Sequence, residues 1–302
     1  MKKHKLPIIL MFVSPALLCY LLVFFYPTIR TTFMSFFNIK NIMDGVHKWE
    51  FVGLDNYIAI WKSDLFVQSM INFIKIWFFG GIIVFVIAML MSVILTSGIK
   101  GKSFFRAVIY LPNVVSAVAM GTMWIQYVYN PKYGLFKTLF EFLGLENLAA
   151  IKWTTPDNIF WAMLIAFNFG MVGYFMLIYI SGIERIPATF YEAATLEGAN
   201  IFVKFYRITL PLLKGVIKTT LVLWTISDVG FFVWSQVFSM LNPVPGTVTP
   251  MVYMYQSIFG NNMIVTDRNV GLGATVGVLL MVIVVIVFAL TNLLIKEEDV
   301  EF

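Results

Sequence analysis

Residues 158–183 read NIFWAMLIAFNFGMVGYFMLIYISGI, 26 residues between Asp157 and Glu184 without one formal charge. About 20 apolar residues cross a hydrocarbon core of about 30 Å, so this run is long enough to span a bilayer as one helix. Four more charge-free runs flank it: 24 residues between Lys5 and Arg30, 24 between Lys75 and Lys100, 25 between Arg106 and Lys132, and 27 between Arg268 and Lys296. A further apolar stretch, Gly215 to Phe238, is interrupted by Lys218 near its start and Asp228 well inside. Composition agrees. Of 302 residues, 60% are hydrophobic, 17% aromatic and only 12% charged, about half the charge of an ordinary soluble domain. A cytosolic enzyme, a secreted disulfide scaffold and a disordered tail are excluded. The lone Cys19 can form no intrachain bridge.

These runs predict an all-α, polytopic membrane protein: a single transmembrane domain over 1–302, with spans near 7–26, 76–96, 107–127, 159–181, 215–238 and 272–294. The first is too long for a signal-peptide core, and no A-x-A site follows it, so it is read as retained. An even count places both termini on one side. With the termini inside, twelve Lys and Arg fall in internal segments, four in the two short external loops and five in the long external loop. The positive-inside rule therefore predicts cytoplasmic termini. Two loops exceed simple connectors: an external one near 28–72, and a cytoplasmic one, 184–214, suited to meeting a soluble partner.

Several motifs are decoys. Gly101-Lys102-Ser103 looks like the end of a phosphate loop, but Thr96 occupies the first glycine's place and no soluble strand precedes it. His4 and His47 lie in different compartments, so they support neither a metal site nor a Ser/His/Asp arrangement. No chemistry of its own is visible in the chain. Gly273-Ala274-Thr275-Val276-Gly277 is a G-x-x-x-G, read first as close helix packing.

Asp228 is the acidic residue inside a span, ten residues beyond Lys218 and so about 15 Å deep at about 1.5 Å per residue. An unpaired carboxylate there costs roughly 2.5–3.5 kcal/mol on insertion scales, so it should face protein or water. Helical spacing puts Trp224, Asp228, Phe232, Ser235 and Gln236 along one stripe, with Asn168 on another span. Aromatic faces alternating with polar groups suit a sugar's apolar ring faces and hydroxyl edges. The structural alternative is a hydrogen bond from Asp228 to Asn168, Ser116 or a neighbour.

The cytoplasmic loop carries Ile183-Glu184-Arg185-Ile186-Pro187-Ala188-Thr189-Phe190-Tyr191-Glu192-Ala193-Ala194-Thr195-Leu196-Glu197-Gly198-Ala199. Pro187 fits a helix start and Gly198 a helix stop. About three turns between them are too short to be stable alone in water, so the helix must dock. A helix merely lying on headgroups would show a broader apolar face and more lysines.

Here the chain resembles a family. Glu192-Ala193-Ala194-x-x-x-Gly198-Ala199, then Phe205-x-x-Ile208-x-Leu210-Pro211, is similar to the EAA loop of permease subunits of binding-protein-dependent ABC importers. Tyr26-Pro27, Phe51-Val52-Gly53-Leu54-Asp55-Asn56-Tyr57, Asn72, Phe105-Arg106 and Leu111-Pro112 resemble the carbohydrate-uptake branch. The resemblance implies a type I ABC importer permease fold in the bacterial cytoplasmic membrane. Its partners would be a second, related permease, a dimer of cytoplasmic ATPase subunits, an extracytoplasmic solute-binding protein, a sugar and lipid, with no nucleic acid. ATP and Mg would sit on the ATPase, leaving this chain without cofactor or catalytic residues. By match, the ATPase-docking helix falls on 188–199, with Tyr191, Glu192, Ala193, Ala194, Glu197, Gly198 and Ala199 at the contact. The chain departs from the family at Leu213-Lys214-Gly215, where proline is usual, and at Asn242-Pro243-Val244-Pro245-Gly246, in place of a glycine-rich stretch. Rival readings are a polyol or glycerol-phosphate permease, a proton-coupled secondary transporter with Asp228 as relay, and a scaffold without transport. No span has a central Lys or Arg for a phosphate, and no internal repeat is visible.

Overall fold

The structure, a computed structural model, describes residues 5–239, 244–260 and 268–295, with side chains from residue 11 onward. Lys2, Lys3, His4, Asn242, Pro243 and Lys296, all used in the sequence argument, lie outside the described residues.

In chain order the helices are Met11–Met34 (α1), Asp55–Lys62 (α2), Asp64–Thr96 (α3), Lys102–Val114 (α4), Ala117–Val128 (α5), Leu135–Phe142 (α6) and Glu146–Ala149 (α7). They continue with Ile159–Ile183 (α8), Ala188–Leu196 (α9), Ile201–Leu212 (α10), Lys214–Val229 (α11), Val233–Ser239 (α12), Pro250–Phe259 (α13) and Val270–Leu294 (α14). A two-residue hairpin, Phe37–Asn38 (β1) and Glu50–Phe51 (β2), pairs antiparallel. Among the described residues, four helices (α1, α3, α8 and α14) are long and apolar enough to cross a membrane, or up to six if each of two bent pairs counts as one span.

Helix limits differ from the charge-to-charge runs in three places. α3 is 33 residues long and runs straight through Lys75. A lysine does not end a helix, and this ammonium lies 5.6 Å from the Phe160 ring centroid. The expected span 107–127 is two helices, α4 and α5, meeting at 97°. Pro112 removes a backbone donor one turn before the break, and Ser116 caps α5 by accepting from the Ala119 N–H at 3.3 Å. The expected span 215–238 also divides. α11 stops at Gly230, the Phe232 N–H turns back to the Gly230 carbonyl at 2.8 Å, and α12 restarts at Val233.

The chain forms two compact units. In the first, residues 1–67 and 253–282, Asn56 holds the hairpin by donating to the carbonyls of Ser35 and Phe37, each at 2.9 Å. The G-x-x-x-G is used for packing: a Cβ on Gly273 would lie 2.4 Å from Ile258, and one on Gly277 would lie 3.6 Å from the Met254 sulfur. α14 thus lies on α13 as closely as glycine permits.

In the second unit, residues 68–252 and 283–302, α8 is the central helix and is largely buried, with Trp161, Phe169 and Ser181 its exposed residues. Its apolar residues pack with Ile76, Val84, Trp124 and Trp224 into one core. At Gly173 an added Cβ would lie 2.3 Å from the carbonyl oxygen of Ile109, so α4 and α8 touch backbone to backbone there. Asn113 adds a bond to the Gly170 carbonyl at 3.2 Å. Asn72 donates to the carbonyls of Pro245 at 2.8 Å and Val248 at 2.9 Å, fixing a loop 173 residues away in sequence.

Candidate functional site

Two places concentrate the polar side chains singled out in the sequence. The first is the loop 184–214. α8 ends at Glu184, whose carboxylate accepts from the Arg106 guanidinium at 2.5 Å, joining the ends of α8 and α4. Ile183, Ile186 and Leu213 form a small buried cluster beneath the loop, with Tyr191, Ile208 and Leu212 packed against it. α9 starts after Pro187, whose extended backbone (ψ 134°) makes it the residue before the first turn instead of part of it.

α9 is nine residues long and stops three short of the sequence expectation. Its end is a Schellman turn. The Ala199 N–H donates to the Ala194 carbonyl at 2.8 Å, the Gly198 N–H to Thr195 at 3.0 Å, and Gly198 takes φ 75° as expected for a glycine stop. α9 is tied to α10 by Tyr191 Oη and Thr209 Oγ1 at 2.9 Å, and by Lys204 Nζ donating to Thr195 Oγ1 at 2.8 Å. Asn200 caps α10 by accepting from the Val203 N–H at 2.9 Å.

The loop's outer surface carries Glu192, Ala193, Glu197 and Gly198, all exposed, whereas Tyr191, Ala194 and Ala199 are half-buried. Sequence reasoning passed over Leu196, which is 90% exposed at the tip of α9. A leucine so open on a short, braced helix is the signal that would have found it. Arg106–Glu184 was missed as a pair because its members are 78 residues apart.

The second place is α11 and its surroundings. Asp228 is 1% exposed, and neither carboxylate oxygen has a hydrogen-bond partner among the described residues; the same holds for Asn168 Oδ1. The hydrogen bond from Asp228 to Asn168 or Ser116 weighed above is therefore not formed. Nor is a continuous stripe: the break at Gly230 rotates Phe232, Ser235 and Gln236 away from helical register with Trp224 and Asp228. Trp224 is fully buried, with its Nε1 donating to the Trp77 carbonyl at 2.9 Å and its ring among Phe85, Phe167 and Phe175. It is a core residue. Ser235 is fully buried and donates to the Thr247 carbonyl. Phe232 is half-buried and Gln236 exposed. Of the pathway candidates, Asp228 and Asn168 are thus the buried ones left with unspent polar capacity. Among the described residues no group of three or more His, Cys, Asp or Glu could hold a metal.

The comparisons can now be set beside this geometry. No family model matches the chain. It is 26% identical over 293 residues to a probable starch degradation products transport system permease protein, AmyD, of Thermoanaerobacterium thermosulfurigenes, covering 96% of this chain and 94% of the relative. The chain is a homologue of sugar ABC transporter permeases. It is 28% identical over 283 residues to the arabinooligosaccharides transport system permease protein AraP of Bacillus subtilis, covering 92% of this chain and 85% of that one. Among solved structures, a bacterial alginate ABC transporter in complex with an alginate pentasaccharide-bound periplasmic protein matches with a TM-score of 0.76 at 17% identity, over 94% of this chain and 92% of the other. The fold is that of an ABC importer permease, and the chain is a multi-pass membrane protein. ABC permease subunits are not themselves enzymes.

Proposed function

We propose that this chain is the transmembrane subunit of an ATP-driven importer that carries a sugar or oligosaccharide across the bacterial cytoplasmic membrane. The observation that carries this is its near full-length likeness to permeases for starch products and arabino-oligosaccharides. Six spans are counted by adding to α1, α3, α8 and α14 the bent pair α4–α5 and the apolar stretch 215–238 that holds α11 and α12; α10, which meets α11 at 69°, is counted with the loop that precedes this span. Both termini then face the cytoplasm, in a type I ABC importer permease fold. The partners are a second, related permease, an ATPase dimer that holds ATP and Mg, and an extracytoplasmic solute-binding protein; the alginate complex supports the last.

α9 is the proposed docking helix. It offers Glu192, Ala193, Leu196, Glu197 and Gly198 to the ATPase, while Tyr191, Ala194 and Ala199 hold it in place. Small side chains permit close approach, and Glu192 gives a basic or hydroxyl partner an acceptor. Asp228 and Asn168 are proposed to serve the translocation pathway, since an intramembrane carboxylate is functional by default. Transport follows alternating access: ATPase closure draws the two docking helices together, and the braced loop moves α8 and α11 with it. The test is reconstitution with the ATPase and candidate binding proteins. ATP hydrolysis stimulated by one binding protein–sugar pair is expected, and stimulation by none, with every partner assembled, would reject the reading.

A further inference from the structure

The segment after α5 has a feature that the transport reading leaves unused. α6 shows three faces. Phe136 and Phe140, one turn apart, point inward, where Phe136 lies 5.8 Å from Trp124, 5.5 Å from Tyr129 and 5.5 Å from Trp153, centroid to centroid. Lys137 and Glu141 pair at 3.7 Å on a polar face. Leu135, Leu139 and Phe142, at i, i+4 and i+7, form the third face and are 61%, 45% and 86% exposed. Leu143 extends it at 56%. The Leu145 N–H closing on the Phe140 carbonyl at 2.8 Å, with Gly144 at φ 70°, ends the helix and fixes that face.

We infer that α6 is an interfacial anchor: its Leu135–Leu139–Phe142 face lies in the headgroup boundary of the bilayer that α5 crosses, in the outer leaflet under the proposed topology. Three observations favour lipid over a protein partner. The span that precedes it, α5, also exposes apolar side chains, with Val118 55% and Tyr127 67% exposed. Only six residues separate the end of α5 from the start of α6, so the face begins where a span leaves the membrane. The flanks carry the side chains that settle at such a boundary. Tyr133 is 64% exposed, and tyrosine gathers where one end of the ring is apolar and the other wet. Lys132 is exposed beside it, and its long stem can lie on apolar surface while the ammonium meets anionic headgroups. The inward aromatic face locks α6 to the end of α5, so the anchor would hold the external loop at constant depth.

The test uses the full chain with its co-purifying subunits in nanodiscs of phosphatidylethanolamine and phosphatidylglycerol. In a Cys19→Ser background, Leu139→Cys, Phe142→Cys and, on the polar face, Glu141→Cys each carry an environment-sensitive fluorophore. Lipids bearing a nitroxide high on the acyl chain should quench the probes at 139 and 142 and spare the one at 141. Aqueous iodide should do the reverse. Iodide quenching at 139 and 142 without lipid quenching overturns the inference, because the face is then in water. Protection of both from either quencher also overturns it, because another protein then covers the face. The side is read separately in intact cells and inverted membrane vesicles, with an impermeant thiol reagent at 141. Labelling only from the cytoplasm would overturn the outer-leaflet placement through the topology, a result distinct from loss of lipid contact.

Discussion

Gly198→Val isolates the backbone of the proposed docking helix from its contacts. Gly198 has φ 75°, and nothing lies within 4 Å of where a Cβ would stand. The substitution therefore meets no steric clash with its surroundings, and its cost is conformational alone. A side chain in the left-handed region costs roughly 1–2 kcal/mol, and more of that range applies to a β-branched residue. The strain falls on the Schellman bonds at Ala194 and Thr195, so it would open the end of α9 that carries Leu196 and Glu197. Because about 1.4 kcal/mol is tenfold in an equilibrium constant, affinity for the ATPase should fall roughly five- to thirty-fold. The control is Gly198→Asn, since asparagine visits this region readily and should lose much less. The assay is ATPase titrated against permease in nanodiscs, with membrane abundance of each variant measured beside it. Equal affinity of wild type, Gly198→Val and Gly198→Asn would refute the reasoning. Loss of Gly198→Val from the membrane would show that Gly198 serves folding, which refutes it as well.

A reporter at Gly45 should be external and one at Thr189 cytoplasmic; reversed labelling of cysteines at those positions would reject the six-span topology. Asp228→Asn keeps shape and hydrogen-bonding capacity, so uptake should fall only in part and stay insensitive to a proton uncoupler, whereas complete loss would favour a proton relay. Asp228→Leu with normal uptake would remove Asp228 from the pathway. Gly173→Ala drives a Cβ to 2.3 Å from the Ile109 carbonyl, so it should lower thermal stability in detergent by the roughly 1–3 kcal/mol typical of overpacking. Gly170→Ala, on the same helix but with its nearest neighbour the Trp234 ring at 3.7 Å, should be nearly neutral, and equal effects would mean that α4 and α8 are not in backbone contact.

Much of the membrane architecture was legible because charge-free runs are a direct consequence of the bilayer's low polarity. The same rule hid the helix limits. Distance between charges says how far apolar sequence extends, not where the backbone turns, so the breaks at Val115 and Gly230 fell inside runs that read as continuous. Pro112 and Gly230 were visible, but a proline or glycine in a membrane helix is often tolerated. Lys75 misled in the opposite sense, marking a boundary where α3 continues. The start and stop of α9 were readable because Pro187 and Gly198 act locally. Asn56 and Asn72 stood out as residues but not as tethers, since their partners are carbonyls distant in sequence, which carry no side-chain signature. Trp224 was misread for a related reason: helical spacing gives its angular position, but only the neighbouring Trp77 carbonyl shows that its indole faces protein.

The bracing of α9 bears on how a nine-residue helix can serve as a contact at all. Free in water it would be mostly unfolded, and a partner would have to supply the ordering free energy on binding. Here the ordering is supplied within the chain. Tyr191 and Thr195 join α9 to α10, the Ile183–Ile186–Leu213 cluster seats the loop on the ends of α8 and α11, and Arg106–Glu184 ties that end of α8 to α4. The ties that α9 makes itself, through Tyr191 and Thr195, leave Glu192, Leu196 and Glu197 exposed. On the proposed docking reading, recognition and support would be carried by different residues of one short helix. Substitutions on the outer face should change partner affinity while sparing abundance. Tyr191→Phe, which deletes only the hydroxyl bond to Thr209, should instead loosen α9 and weaken every partner contact together.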